Sequence, residues 1–130
     1  MLNPFEPGHT KTFSKVVTAT EVAAFDSGTV HPVYATFAIA KDAEWSGRLF
    51  VLDMKEADEE GIGTFVSVTH KAPVLVGHEV TFTATLESVI GNEIITTYEA
   101  RSGGRLVAQG RQGQKILKKE KLEKLFNSLA

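Results

Sequence analysis

Between residues 80 and 87 apolar and polar side chains alternate without interruption. Val80, Phe82, Ala84 and Leu86 are separated by Thr81, Thr83 and Thr85, with Glu87 following. A period of two puts each set on its own face of an extended chain, so the segment is predicted to be an antiparallel strand with one buried face. Gly63 to His70 reads as a second strand, with Val66, Val68 and His70 on one side and Phe65, Ser67 and Thr69 on the other. Turn residues at Gly91-Asn92 and Ser102-Gly103-Gly104 divide Glu93–Ala100 from Arg105–Leu117, which predicts consecutive hairpins. Lys11 to Thr18, rich in β-branched and aromatic residues, gives a first strand.

The pattern changes from Thr36 to about Met54. This stretch lacks proline and is dense in Ala, Leu, Phe and Ile, which predicts a helix, with Thr36 placed to cap it. Phe37, Ile39, Ala40, Ala43, Trp45, Leu49, Phe50 and Val51 make it apolar on several sides, as expected of a helix wrapped by a sheet. Gly47 in its middle costs about 1 kcal/mol against alanine, so it implies a close approach by another element. Ahead of the helix, Thr20 to Ala24 suggests one short helical turn closed by Gly28, and Val30 to Ala35, with Pro32, an extended lead-in. Leu117, Leu122, Leu125, Phe126 and Leu129 recur at helical spacing among lysines and glutamates, predicting an amphipathic C-terminal helix with a solvated basic face. The sum is an α+β plan in which a sheet of about five strands curls around one long helix, as a single domain over residues 1–130.

Composition narrows the partners. A net charge of −2 offers no positive field to gather a nucleic-acid backbone. The absence of cysteine excludes disulfides, a thiol nucleophile and thiolate metal ligands, so covalent chemistry must use oxygen or nitrogen. The first ten residues carry Pro4, Glu6 and Pro7 rather than a basic and then apolar run, and no segment is apolar for long enough to span a bilayer. A soluble, cytoplasmic protein is expected. A curled sheet of this size leaves open edges, so a homodimer is expected as well.

Three residues carry candidate chemistry. His70 lies on the side of its strand shared with Val66 and Val68, which fits either a core histidine satisfied by one hydrogen bond or a base lining a pocket. Glu44 sits mid-helix beside Ala40 and Gly47, where it could form a surface ion pair with Arg48 or the wall of a site. Thr36 is explained by helix capping alone. There is no phosphate-binding glycine loop, no Gly-x-Ser-x-Gly elbow and no His-Glu-x-x-His metal helix, so neither a metal nor a cofactor is expected.

Taken together, Val33-Tyr34-Ala35-Thr36, then Glu44-Trp45 after seven residues, Gly63-Thr64, Val68-Thr69-His70-Lys71-Ala72-Pro73 and Val76-Gly77 resemble the fluoroacetyl-CoA thioesterase-like family from about Thr29 to Ile116. That resemblance implies a hotdog fold, an active dimer, an acyl-CoA substrate and a catalytic set of Thr36, Glu44 and His70. It also implies that Gly63 meets the substrate carbonyl. Two positions depart from the pattern. Val30 stands where the fluoroacetyl-specific enzyme has an aromatic lid residue, so halogen selectivity is not expected to carry over. Gln114 stands where the family has an arginine, with Arg111 nearby. The expected activity is hydrolysis of a short or medium acyl-CoA, and the fold alone would equally suit a non-catalytic module that binds acyl-CoA.

Overall fold

In the computed structural model, which describes residues 1–130, the chain runs β1 (Thr10–Val16), a 3-10 turn (Ala19–Glu21), β2 (Val22–Phe25), β3 (Gly28–Tyr34), α1 (Thr36–Met54), β4 (Glu59–Val66), β5 (Thr69–His70), β6 (Glu79–Ile90), β7 (Glu93–Ser102), β8 (Arg105–Lys118) and α2 (Lys119–Ser128). The main sheet has the order β1-β6-β7-β8-β4 and is antiparallel throughout, with β5 also pairing with β8. β2 and β3 form a separate hairpin.

The alternation in β6 is realised as expected. Val80, Phe82, Ala84 and Leu86 are buried, joined by Ile94, Tyr98 and Ala100 of β7. Against this face lies α1, burying Ile39, Ala43, Phe50, Val51 and Met54. Phe82 stacks on Phe13 of β1 with ring centroids 5.2 Å apart. Each such fully buried side chain contributes roughly 1.5–3 kcal/mol over an exposed one. The core is two apolar clusters, one around the first half of α1 and one around its end. Between them is a buried polar layer of Ser46, Thr96, Gln112 and Gln114.

Gly47 is what lets that layer exist. A β-carbon there would overlap the Gln112 side-chain amide and press on Thr96 Oγ1. Alanine would gain about 1 kcal/mol of helix propensity. Overpacking a closed core costs about 1–3 kcal/mol, so Gly47→Ala is expected to be net destabilising in a denaturant titration. A variant more stable than the parent would show that the Gln112 amide can move aside.

Three expectations need correction. Ala23 and Ala24 lie in a strand, because the helical turn ends at Glu21 and the chain from Val22 pairs back onto β3; cross-strand bonding outweighs a weak local preference. The strand expected over 63–70 is two, since the register with β8 shifts between Gly63 and Phe65 and pairing stops after Val66. Val66, the last paired residue of β4, is exposed, while Val68, in the break between the two strands, packs on the core. Leu117 ends β8 instead of belonging to α2, where Leu122 alone is buried. No helix is long and apolar enough to cross a membrane.

Candidate active site

Thr36 opens α1 directly after β3, and the two preceding peptides are pinned. Tyr34 N–H donates to the Val74 carbonyl and Ala35 N–H to the Glu21 carbonyl, both at 2.8 Å. Ala35 occupies the cap position without a side-chain bond, so Thr36 is the first helical residue and not the cap. Its hydroxyl is spent elsewhere, lying 2.9 Å from His70 Nδ1. His70 is held by pairing of β5 with β8, opposite Ala108, and its Nε2 lies 2.9 Å from the Ala72 carbonyl oxygen. A carbonyl can only accept, so Nε2 carries the ring proton of the neutral imidazole. The Nδ1 lone pair is therefore free to accept the Thr36 O–H. A hydroxyl on a base whose far nitrogen is oriented by a third group is the arrangement that activates a nucleophile.

The neighbourhood of this pair is open. Thr36 is exposed, His70 is half-buried, and a small cavity of about 240 Å³ is lined by His70, Lys71, Ala72 and Pro73. Phe37, next to Thr36, meets Phe25 of the β2–β3 hairpin edge-on at 5.9 Å. Val30 lies on the same hairpin, exposed. In the sequence Phe25 carries no signal of a site and Phe37 counts only as one apolar residue of the helix, although an apolar residue directly after a candidate nucleophile is a usable signal.

Glu44 occupies a second locality. It is exposed, and it makes no side-chain hydrogen bond, because Arg48 pairs with Glu60 at 3.0 Å and not with Glu44. The Gly61 N–H, and then Arg48, hold the Glu60 carboxyl below its usual range against the opposing effect of desolvation. With Arg48 drawn away, Glu44 Oε1 lies over Gly63, where any β-carbon would overlap it. Both residues line a cleft of about 470 Å³ with Lys41, Asp42, Trp45, Arg48, Gly61 and Gln114. Gln114 is buried beneath the helix, its amide donating to the Glu44 carbonyl at 3.1 Å and to Gln112 Oε1 at 3.0 Å. The Gln112 amide in turn donates to Thr96 Oγ1 at 2.5 Å. The neutral residue at position 114 thus braces the backbone that carries Glu44.

One chain therefore brings Thr36 to His70 and Glu44 to Gly63, but does not join the two pairs. Thr36 and Glu44 are separated by two helical turns, ~12 Å of axial rise. A further cleft of about 480 Å³ lies on the other face of the sheet, among Thr83, Thr85, Thr97 and Arg111, and contains none of these residues.

The fold and these positions can be set beside known proteins. A thioesterase superfamily member from Thermus thermophilus superposes with a TM-score of 0.94 at 39% identity, covering 98% of this chain and 95% of that one. The fluoroacetyl-CoA thioesterase FlK superposes with a TM-score of 0.90 at 24% identity, covering 98% and 99%. A hot-dog-like protein from Thermanaerovibrio acidaminovorans gives 0.87 at 21% identity, covering 95% and 92%. No curated protein matches the sequence. The family profile for FlK, fluoroacetyl-CoA-specific thioesterase, matches residues 17–120. With that profile spanning most of the sequence and the sheet wrapped around α1, the chain belongs to the fluoroacetyl-CoA-specific thioesterase family and is a hotdog-fold thioesterase.

Proposed function

We propose that the protein hydrolyses a short or medium acyl-CoA to the free acid and CoA, with Thr36, His70 and Glu44 as its catalytic set and a homodimer as its working unit. The observation that carries this is the hydrogen bond from Thr36 Oγ1 to His70 Nδ1, with the tautomer set by Ala72. A variant of FlK has been crystallised with acetyl-CoA, which supports the substrate class. His70 takes the Thr36 proton as the hydroxyl oxygen bonds to the thioester carbon. The tetrahedral adduct collapses with cleavage of the C–S bond, and the imidazolium returns its proton to the departing thiolate. Water, deprotonated by His70 or Glu44, then bonds to the acyl carbon, and the adduct collapses with cleavage of the bond to Thr36 Oγ1, which takes the proton back from that base as the acid leaves. Backbone N–H groups near Gly63 are proposed as donors to the developing oxyanion.

A thiol-release assay over an acyl-CoA panel is expected to show turnover without strong preference for fluoroacetyl-CoA over acetyl-CoA, because Val30 lacks the area of an aromatic lid. Tight binding of every acyl-CoA with no thiol released would end the hydrolase reading.

The dimer is supported by what one chain leaves uncovered. Phe37, Trp45 and Leu52 form an exposed stripe along α1 and are 51%, 43% and 40% accessible, and Phe65 and Val66 are exposed on β4, which has a free edge. A two-fold pairing would cover these groups and could bring Glu44 of one protomer to Thr36 and His70 of its partner. Mixing inactive Thr36→Ala and Glu44→Gln proteins through an unfolding and refolding cycle is then expected to restore about a quarter of wild-type activity. Half the dimers would be mixed, each with one intact site. No recovery would place the whole set within one chain.

A further inference from the structure

On the reading of Thr36 as nucleophile, we infer that Tyr34, Asp42 and Lys15 form a clamp that positions its hydroxyl on His70. Tyr34 is fully buried and its phenol donates to Asp42 Oδ2. The same oxygen accepts from Lys15 Nζ at 2.8 Å. Lys15 also bridges to Glu21, whose other carboxylate oxygen accepts from the Thr18 N–H at 2.9 Å and the Thr18 hydroxyl at 3.0 Å.

This network surrounds the junction on which Thr36 is mounted. Tyr34 is the last residue of β3 and Asp42 lies in the second turn of α1, so their bond ties the strand end to the helix across Thr36. Glu21 acts twice, since its side chain holds Lys15 while its carbonyl receives the Ala35 N–H. The other end of the path reaches the base. Tyr34 N–H bonds to the Val74 carbonyl, and Val74 follows closely on Ala72, which orients His70.

Energetics favours a geometric role over simple cohesion. Apolar residues of similar volume commonly stabilise as well as or better than a buried ion pair, because desolvating two charges costs several kcal/mol. What a satisfied polar network adds is a single arrangement. Burial and the Asp42 carboxylate push the Tyr34 phenol far above its ordinary range. Desolvation pulls the Lys15 ammonium down, but its bonds to Asp42 and Glu21 outweigh this and leave it raised. Tyr34 thus stays a neutral donor and Lys15 stays charged at any working pH, as a static clamp requires.

The test compares Tyr34→Phe, Asp42→Asn and Lys15→Met with wild type, measuring kcat, KM, thermal unfolding and the 15N resonances of the His70 ring. Tyr34→Phe is expected to lower kcat about tenfold, within the range for a slightly misplaced reacting group, with KM changed less than twofold. Its His70 Nδ1 resonance is expected to move toward the value in Thr36→Ala. A lowered unfolding temperature with kcat and the Nδ1 resonance as in wild type would reduce the network to a structural one and overturn the inference. Should Tyr34→Phe fail to fold, Lys15→Met, at the half-exposed end of the network, decides by the same two readouts. The nitrogen resonances need no substrate, so a protein that hydrolyses no acyl-CoA would refute the thioesterase reading while the clamp is still judged.

Discussion

His70→Ala is expected to lower turnover by a factor of about 10² to 10⁴, the usual worth of positioned proton transfer, while the protein keeps its fold. The structure explains why stability should survive. The ring is half-buried, and it makes two hydrogen bonds, one to the exposed Thr36 hydroxyl and one to the Ala72 carbonyl. The hydroxyl can bond to water when the ring is gone, so no sealed polar group is orphaned there. A core histidine would behave in the opposite way, costing stability through a cavity and leaving activity per folded molecule unchanged. Turnover and thermal unfolding measured on one preparation separate these outcomes. Wild-type turnover in His70→Ala would remove it from the mechanism.

The Glu44 locality makes a second, paired expectation. Glu44→Gln should lower turnover by about 10²-fold or more, since its carboxylate handles a proton in the release of the acid. Gly63→Ala should reproduce much of that loss while leaving the carboxylate itself chemically intact, since the new β-carbon would occupy the position of Glu44 Oε1. The clash is with the tip of a flexible side chain, so the carboxylate can swing away and the backbone need not move. Displacement of a reacting group by about 1 Å can cost 10²-fold, whereas a small surface substitution usually changes stability by less than about 0.5 kcal/mol. Parallel kcat measurements on both variants provide the check. A fully active Gly63→Ala beside an inactive Glu44→Gln would mean that the carboxylate does its work away from Gly63.

Much of this was legible from side-chain periodicity. The face of β6 and both limits of α1 follow from patterns that depend on neighbours a few residues away, and Gly47 announced the close approach that Gln112 makes. What periodicity could not supply was decided by partners distant in sequence. The β2–β3 hairpin forms from two alanines with no strand preference because β3 is there to pair with them. Glu44 looked like the natural partner of Arg48 on one helix face until Glu60, from the next strand, took the arginine. Thr36 had capping as a sufficient explanation, and its bond to His70 spans a separation that no local rule reaches. Asp42 attracted no notice as one acidic residue in a helix; its importance follows from meeting Tyr34 and Lys15.

β8 pairs with β7 along one edge and with β4 and β5 along the other, and β5 has no other strand partner. During synthesis, Thr36, Glu44 and His70 all leave the ribosome before β8 does. Until β8 arrives, the segment that carries the histidine has no strand to pair with, and β4 is bare on both sides. Assembly of the site is therefore a late, non-local event, slow by the general relation between contact separation and folding rate. The nascent chain meanwhile displays unpaired strand edges of the kind that invite association with other unfinished chains.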